Sequence, residues 1–142
     1  MMIRVLVVDD SATARASIVA ILGSDPEIEI VGQAIDGLEA VEMAVQLKPD
    51  VITMDIHMPK MNGYQATQQI MALNPTPIVV VTSITQQERV HQGLDILRAG
   101  ALEIVQKPSS LATRDYQSVG AELITKVRAV SQIHLSGQSA SR

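Results

Sequence analysis

The sequence predicts a single α/β domain in which helices cover both faces of a five-stranded parallel sheet. Two observations lead to this fold class. Five short segments rich in β-branched residues recur along the chain, and segments with helical apolar spacing separate them. Strands and helices that alternate in this way form parallel sheets with right-handed crossovers. The length of 142 residues suits one domain, and a 46% share of hydrophobic residues is enough to build its core.

The predicted strands are short, and several lack the alternation of apolar and polar residues that a half-exposed strand shows. A uniformly apolar strand is typical of a parallel sheet that is covered on both faces. The predicted strands are Ile3–Val8, Ile28–Ala34, Val51–Met54, Ile78–Thr82 and Leu102–Val105.

Apolar residues spaced along one helical face predict five helices. The stripes are Ala14, Ile18, Ile21 and Leu22; Leu38, Val41 and Val45; Ala66, Ile70 and Leu73; Val90, Leu94 and Leu97; and Leu123, Val127 and Val130. Ser11 and Asp36 are suited to cap helix starts, and Gly23 and Gly100 to close helix ends in left-handed geometry. Residues 109–118 are expected to form a long polar connection, and residues 131–142 a Ser-rich tail without fixed structure.

Composition argues against several function classes. The formal net charge is -4, the pI is near 5.2, and no cluster of Lys and Arg or run of aromatic residues is present, so nucleic-acid binding is not expected. Without cysteine there can be no disulfide or thiolate metal site. The first apolar run, Val5–Val8, is far too short for a signal peptide or a membrane span. A cytoplasmic location is therefore expected.

Polar side chains collect where the predicted strands end. They are Asp9 and Asp10 after the first strand, Asp55 after the third, Thr82 and Ser83 at the end of the fourth, and Lys107 after the fifth. Because ligands of open parallel sheets bind outside the carboxyl ends of the strands, we expect these six side chains to lie at one binding edge.

Three carboxylates at one edge repel one another, so they call for a compensating cation. Mg²⁺ is a suitable one, since it prefers oxygen ligands and is commonly held by one or two carboxylates together with a phosphate. With the metal bound, Asp55 is a suitable nucleophile toward phosphorus, because carboxylates can form aspartyl phosphates. Lys107 and the metal would neutralise the transferring oxygens, and Thr82 would donate a hydrogen bond to one of them.

Each of these residues also has an ordinary structural interpretation. An Asp after a strand is commonly a turn or cap residue, Thr82 is a common strand residue, and Lys107 alone would be a solvated surface charge. Their joint placement at one edge favours a site. His57 is interpreted as a solvated loop residue, because no Cys or neighbouring His completes a zinc set. The methionines at positions 54, 58, 61 and 71 are interpreted as packing residues.

Four motifs in order carry a family resemblance: VLVVDDS at 5–11, DIHMPKMNG at 55–63, VVVTS at 79–83 and VQKP at 105–108. Together they resemble the response-regulator receiver domain of two-component signalling. The resemblance implies a flavodoxin-like (βα)5 fold, a doubly wound parallel sheet with strand order 2-1-3-4-5. It implies that Asp55 is the phosphoacceptor, Thr82 the switch hydroxyl and Lys107 the phosphoryl partner.

The same resemblance implies a binding site for Mg²⁺, or for Mn²⁺ in its place. Asp10, Asp55 and the backbone carbonyl of His57 would be direct ligands, and Asp9 would hold the metal through water. The peptide between Lys107 and residue 108 is usually cis in this family, a property of proline.

Further segments resemble the amino-terminal regulatory domain of the chemotaxis protein-glutamate methylesterase. They are SDPEIEIVGQAIDGLEAVE at 24–42, NPTPIVVVTSIT at 74–85 and the long segment after KPSS at 107–110. This implies a receiver domain over residues 1–131, followed by a flexible tail or the start of an interdomain linker at 132–142. No GxSxG-like nucleophile elbow occurs. We therefore expect a fragment of such an enzyme, or a stand-alone relative, without esterase activity of its own.

The resemblance also implies partners: a sensor histidine kinase of the chemotaxis type and, in a full-length relative, an effector esterase domain. The chain is expected to be a monomer or a weak dimer. Two positions depart from the family pattern. Ile104 stands where many receivers carry Tyr or Phe, so switching through an aromatic rotamer is not expected. His57 stands where methylesterase relatives often carry Glu.

Two rival functions remain open. A phosphatase of the haloacid-dehalogenase type also uses an aspartate nucleophile at a strand end, although its second acid would occupy the position of His57. A degenerate receiver would act through protein contacts alone, although such domains tend to lose the acids or the lysine that are intact here. Dinucleotide binding is not expected, because no GxGxxG follows the first strand.

Overall fold

Strands and helices alternate along the chain in this computed structural model, which describes residues 2–83, 95–107 and 113–133. The strands are β1 (Ile3–Val8), β2 (Ile28–Ala34), β3 (Val51–Met54), β4 (Ile78–Thr82) and β5 (Glu103–Gln106). The helices are α1 (Ala12–Gly23), α2 (Gly37–Leu47), α3 (Gly63–Leu73), the helical residues 95–99, which we label α4, and α5 (Thr113–Val130).

The five strands form one parallel sheet with the order β2-β1-β3-β4-β5. This confirms the predicted fold class and strand order. The first four strands have the predicted bounds, whereas β5 lies one residue later than predicted. Leu102 donates its backbone N–H to Ile78, just before the ladder in which Glu103 pairs with Val79 begins. The position of β5 is thus set by its pairing with β4.

The pairing of β1 with β2 contains one irregularity. Val5 pairs with Ile30 but the next residue, Leu6, pairs with Gly32, so Val31 is an extra residue in β2. A bulge of this kind bends the strand and changes where later side chains point. Beyond it, Gln33 lies opposite Val7.

The sheet separates two apolar clusters, because successive residues of a strand face opposite sides. In β1, β3, β4 and β5, odd-numbered residues such as Val5, Val7 and Val105 pack with residues of α1 and α5. Even-numbered residues of the same strands, such as Leu6 and Ile52, pack with residues of α2, α3 and α4. All four methionines interpreted as packing residues belong to the second cluster or lie against it.

The predicted apolar stripes of α1 and α5 are confirmed. Ile18, Ile21 and Leu22 are buried in α1, and all three predicted residues of α5 are buried. The stripe predicted for α2 is only partly correct: Val41 packs half-buried against the second cluster, but Leu38 and Val45 are 51% and 45% exposed, and the fully buried residues are Gly37, Ala40 and Ala44. The start of α2 approaches the loop before α3 closely, since Gly37 donates its backbone N–H to Met61 and a Cβ at Gly37 would clash with the Met61 carbonyl.

Two other stripes are only partly correct. In α3, Ala66 and Ile70 are buried, but Leu73 at the end of the helix is 63% exposed. In α4, Leu97 is exposed and its neighbour Ile96 is buried instead. The other two predicted residues of that stripe lie outside the described residues.

The helix starts follow the predicted caps. Ser11 accepts a hydrogen bond from the backbone of Ala14, and Asp36 accepts one from Glu39. The prediction for Gly23 is wrong, since Gly23 is the last residue of α1 and Ser24 forms the cap in right-handed geometry. Gly100 follows α4 with a φ of 125°, as expected of a glycine that closes a helix.

The predicted polar connection is also corrected. Residues 113–118 are helical and belong to α5, whereas residues 108–112 lie outside the described part of the chain, together with the predicted cis peptide. After α5, the backbones of Ser131, Gln132 and Ile133 still donate hydrogen bonds to the last turn. The remaining tail, 134–142, is not described, and the domain boundary at residue 131 stays a prediction.

The last turn of α5 forms ion pairs with the connection between α1 and β2. Arg128 Nε lies 3.0 Å from Oδ2 of Asp25, and Arg128 Nη1 lies 2.6 Å from Oε1 of Glu27. The Asp25 side chain is only 8% exposed and also accepts the backbone N–H of Glu27. This contact, which the sequence did not suggest, lies at the edge of the sheet opposite to the strand ends that carry the acids.

Candidate functional site

The carboxylates of Asp9, Asp10 and Asp55 come together at the carboxyl ends of β1 and β3. The backbone N–H of Asp9 donates to Ala34 of β2, and that of Asp55 donates to Val8 of β1. These bonds continue the sheet by one residue and set the two side chains next to each other. One oxygen from each of the three carboxylates lies within 4.8 Å of the others. Asp9 and Asp55 are buried, whereas Asp10 is exposed.

Lys107 brings a positive charge to this cluster from β5. Its backbone N–H donates to Thr82 at the end of β4, which fixes the start of the side chain. The ammonium Nζ lies 3.1 Å from Oδ2 of Asp55 and 3.0 Å from Oδ2 of Asp9. The ammonium donates a hydrogen bond to Oδ1 of Asp9 at 3.3 Å. Oδ2 of Asp9 forms an ion pair with the ammonium but accepts no hydrogen bond among the described residues.

The loop between β3 and α3 shapes the surroundings of Asp55. Oδ1 of Asp55 accepts the backbone N–H of Ile56, and the carbonyl of Ile56 accepts the N–H of Gly63 at 2.7 Å. A Cβ at Gly63 would collide with the backbone carbonyl of Asp55. Only glycine therefore lets α3 begin this close to the acid.

Burial shifts the pKa values of Asp55 and Lys107 in opposite directions, and neighbouring charges also act on both. Burial, followed by the charge of Asp9, raises the pKa of Asp55 to about 6 against the partial compensation of Lys107 and the Ile56 amide. Burial alone would lower the pKa of Lys107, but the charge of Asp55 and the contacts with Asp9 together raise it above its ordinary value. Lys107 is thus a permanent cation, and Asp55 is ionised at neutral pH at a cost in free energy.

The other predicted site residues lie at the same edge. Thr82 is buried at the end of β4, and Ser83 after it is exposed. The His57 side chain is exposed, as its interpretation as a solvated loop residue requires. It lines a cleft of about 210 Å³ together with Asn62 and Asp95. The roles of Thr82 and of the His57 carbonyl stay predictions.

The donor set fits a hard divalent cation. All three side chains offer carboxylate oxygens, and among the described residues they outnumber the single ammonium that faces them. Oδ2 of Asp9 is buried without a hydrogen bond in the described part of the chain, so a cation or its bound water would supply a partner. Hard oxygen ligands of this kind suit Mg²⁺ or Mn²⁺.

One contact with the site was missed by the sequence analysis. Arg15 of α1 donates from Nη1 to the backbone carbonyl of Asp9 at 2.8 Å and from Nε to Oε1 of Gln33 at 3.1 Å. No sequence pattern indicates it, because the contact depends on how α1 packs against the end of β1 and on where Gln33 lies in β2.

Comparison with known proteins agrees with this fold. The model of the response regulator receiver domain family matches residues 5–114. A protein-glutamate methylesterase/protein-glutamine glutaminase of Anaeromyxobacter dehalogenans is 48% identical over 134 residues, which cover 94% of this chain and 39% of that protein. The corresponding protein of Thermotoga maritima is 47% identical over 126 residues, covering 89% and 36%. The chain thus spans less than two fifths of the length of these relatives.

Solved structures give the same result. The response regulator domain of Thermotoga maritima CheB matches with a TM-score of 0.85 and 43% identity, over 95% of this chain and 100% of that one. A chain from the CheX-CheY-BeF3-Mg+2 complex of Borrelia burgdorferi matches with a TM-score of 0.74 and 27% identity, over 90% and 88%.

The chain therefore belongs to the family of response regulator receiver domains. Its relatives are of the CheB type, so it is a receiver of chemotaxis-type two-component signalling. The phosphatase and the degenerate receiver are not favoured. Across the described ranges 2–83, 95–107 and 113–133, no helix has the length and apolar character needed to cross a membrane. The cytoplasmic location stays a prediction.

Proposed function

We propose that this receiver accepts a phosphoryl group on Asp55 while Asp9, Asp10, Asp55 and the His57 carbonyl hold Mg²⁺, or Mn²⁺ in its place. The observation that carries the proposal is the position of the Lys107 ammonium, 3.1 Å from Oδ2 of Asp55 and within reach of a second buried acid. An aspartate nucleophile next to a fixed cation and further carboxylates is the arrangement that phosphoryl transfer requires.

In the transfer, a carboxylate oxygen of Asp55 forms a bond to the phosphorus of the donor. The bond between phosphorus and the donor's leaving group breaks, and the leaving group departs with its electron pair. When bound, Mg²⁺ supplies positive charge to the transferring oxygens. Lys107 stays protonated because its pKa is raised, so its ammonium can pair with a phosphoryl oxygen. In the metal-free site burial and the charge of Asp9 raise the pKa of Asp55 to about 6, and a bound Mg²⁺ would favour the ionised, nucleophilic carboxylate because its charge opposes that rise.

Thr82 would read the modification, since its hydroxyl can donate to a phosphoryl oxygen. Movement of Thr82 and the loop that follows would favour a minority conformation, which is a population shift. The readout face would comprise α4, β5 and α5. Ile104 of β5 is half-buried against the second apolar cluster. Because its side chain is aliphatic, the switch would not involve an aromatic rotamer at this position.

The donor would be a sensor histidine kinase of the chemotaxis type or a small phosphodonor. In a longer protein of the kind named protein-glutamate methylesterase/protein-glutamine glutaminase, the switch would release or reposition the effector esterase domain. The esterase partner is proposed from the names of the relatives, and the phosphodonor from membership of the response regulator receiver family.

Acetyl phosphate with and without Mg²⁺, followed by intact-protein mass spectrometry, tests the proposal. The parent chain is expected to gain one phosphoryl group only with Mg²⁺, and Asp55→Asn to gain none. Asp50→Asn is the matched control, because Asp50 is exposed, precedes β3 at the other sheet edge and accepts the Arg4 N–H. Stoichiometric uptake by Asp55→Asn would overturn the proposal. Steady turnover of a phosphomonoester by the parent would support a phosphatase instead.

A further inference from the structure

Arg15 links the loop after β1, which carries Asp9 and Asp10, to the neighbouring strand β2. Its Nη1 donates to the backbone carbonyl of Asp9 at 2.8 Å, and its Nε donates to Oε1 of Gln33 at 3.1 Å. Asp9 is the first residue beyond β1, so its carbonyl has passed the end of the regular ladder with β2. The guanidinium therefore supplies a partner to a carbonyl that the sheet no longer serves.

The irregularity in β2 makes this bridge possible. The extra residue Val31 shifts the pairing, so that Gln33 lies opposite Val7 and one residue short of the pair between Val8 and Ala34. Asp9 N–H in turn donates to the carbonyl of Ala34. The backbone of Asp9 is thus held to β2 directly through its N–H and indirectly, through Arg15 and Gln33, at its carbonyl.

The partners of Arg15 are neutral oxygens. Although it contacts the backbone of Asp9, one of the three acids, it forms no ion pair within the described residues, in contrast to Lys107. Because the guanidinium hydrogen-bonds to the backbone, the carboxylate oxygens remain available to a metal ion. A guanidinium paired with the carboxylates would compete with the metal.

We propose that Arg15 is a positioning residue for the metal site: by holding the Asp9 carbonyl against β2, it fixes the loop that carries the Asp9 and Asp10 carboxylates. This inference rests on the proposed function, because it assigns Arg15 a part in holding the same cation. Ser11 completes the loop, since its backbone N–H donates to Oδ1 of Asp9 at 2.9 Å.

Charge and position predict opposite effects, which makes the inference testable. Removing a nearby positive charge raises the affinity of an acidic cluster for Mg²⁺ if charge alone matters. Loss of a group that orients metal ligands lowers affinity. We therefore expect Arg15→Met to weaken Mg²⁺ binding by about tenfold, the lower end of what such outer contacts contribute.

The experiment titrates MgCl₂ into the full chain by calorimetry and measures acetyl phosphate uptake over a range of Mg²⁺ concentrations. For Arg15→Met, the half-saturating Mg²⁺ concentration should rise by the same factor, while the rate at saturating Mg²⁺ stays within about twofold of the parent. Arg15→Lys keeps the charge but cannot reach both oxygens, so an intermediate shift is expected. Gln33→Leu keeps Arg15 and should shift binding in the same direction, by about twofold.

Arg128→Met is the matched control. It removes an equal charge and two contacts at the other sheet edge, so it should lower the melting temperature and leave the Mg²⁺ affinity unchanged. If Arg15→Met and Gln33→Leu bind Mg²⁺ as tightly as the parent or more tightly, the inference is wrong and the proposed function stands. If the parent itself binds no Mg²⁺, the proposed function falls and this inference falls with it.

Discussion

The ammonium of Lys107 lies 3.1 Å from Oδ2 of Asp55, and the Lys107 side chain is only 16% exposed. The same ammonium lies 3.0 Å from Oδ2 of Asp9, which is fully buried. Two buried acids therefore share one internal cation, while Asp10 adds a third negative charge from the exposed side. This imbalance makes the site receptive both to a metal ion and to a group that Lys107 can pair with.

Replacing Lys107 by Met should destabilise the metal-free chain and make its stability depend more strongly on Mg²⁺. Two buried carboxylates would lose their only cation in the described site, which costs about 3 kcal/mol in the free energy of unfolding. Denaturant unfolding with and without MgCl₂ measures this. Lys126→Met is the control, because Lys126 pairs with the more exposed Glu103 and Glu122, and its loss should cost less than about 1 kcal/mol. Equal losses in the two variants would contradict the prediction.

Replacing Asp55 by Asn should stabilise the metal-free chain at pH 7.5. Burial, with the charge of Asp9, raises the pKa of Asp55 from 3.8 to about 6, so the folded chain keeps a proton that the unfolded chain has lost. The parent's stability therefore falls as pH rises through this window, and the loss is complete above it. The Asn variant escapes that loss and should gain about 2 kcal/mol. Unfolding curves at several pH values should show the gap close below about pH 4.

Gly63→Ala should disrupt the site and lower the free energy of unfolding by at least about 2 kcal/mol, because the new methyl group would meet the backbone carbonyl of Asp55. Gly23→Ala provides the comparison. Gly23 ends α1 with no atom within 4 Å of the added Cβ, so its replacement should be neutral or slightly stabilising. Thermal melts of both variants test this contrast, and a stable Gly63→Ala would show that the loop can move aside.

Arg128→Met should lower the free energy of unfolding by about 1 kcal/mol, a value reduced by the partial exposure of the guanidinium. The loss arises mainly at Asp25, which is nearly buried and would keep only the Glu27 amide as a partner. Chemical denaturation measures it. Glu27→Gln is the comparison, since Glu27 is 51% exposed and its change should have a smaller effect.

Much of the fold was predictable because strands of this sheet are buried on both faces. The first four strands, for instance Val51–Met54, stand out from their flanks as short apolar runs, and their bounds were predicted correctly. β5 is an edge strand with Glu103 and Gln106 at its ends, so its limits depend on pairing with β4 rather than on composition.

The face of α2 was not predictable from hydrophobicity. The large residues Leu38 and Val45 are exposed, and the small residues Ala40 and Ala44 are buried. Close packing selects small residues where backbones approach, and spacing alone does not indicate where this happens. The prediction that Gly23 closes α1 is wrong because Ser24 closes the turn instead, through hydrogen bonds from its backbone N–H and its hydroxyl to the carbonyl of Ile21.

The grouping of Asp9, Asp10, Asp55 and Lys107 was predictable because strand ends of a parallel sheet share one edge. The contact between Arg15 and Gln33 was not, since it depends on an extra residue in β2 that has no sequence signature of its own. Long-range ion pairs such as Arg128 with Asp25 also depend on how helices pack, which the pattern of the chain does not specify.

The most direct test of the central claim is to locate the phosphoryl group. The parent chain is treated with acetyl phosphate and Mg²⁺, the acyl phosphate is reduced with borohydride, and the modified residue is identified by peptide mass spectrometry. Reduction at Asp55 alone, dependent on Mg²⁺, is the expected result. Modification at Asp9, Asp10 or another residue, or equal modification without a divalent cation, would contradict it.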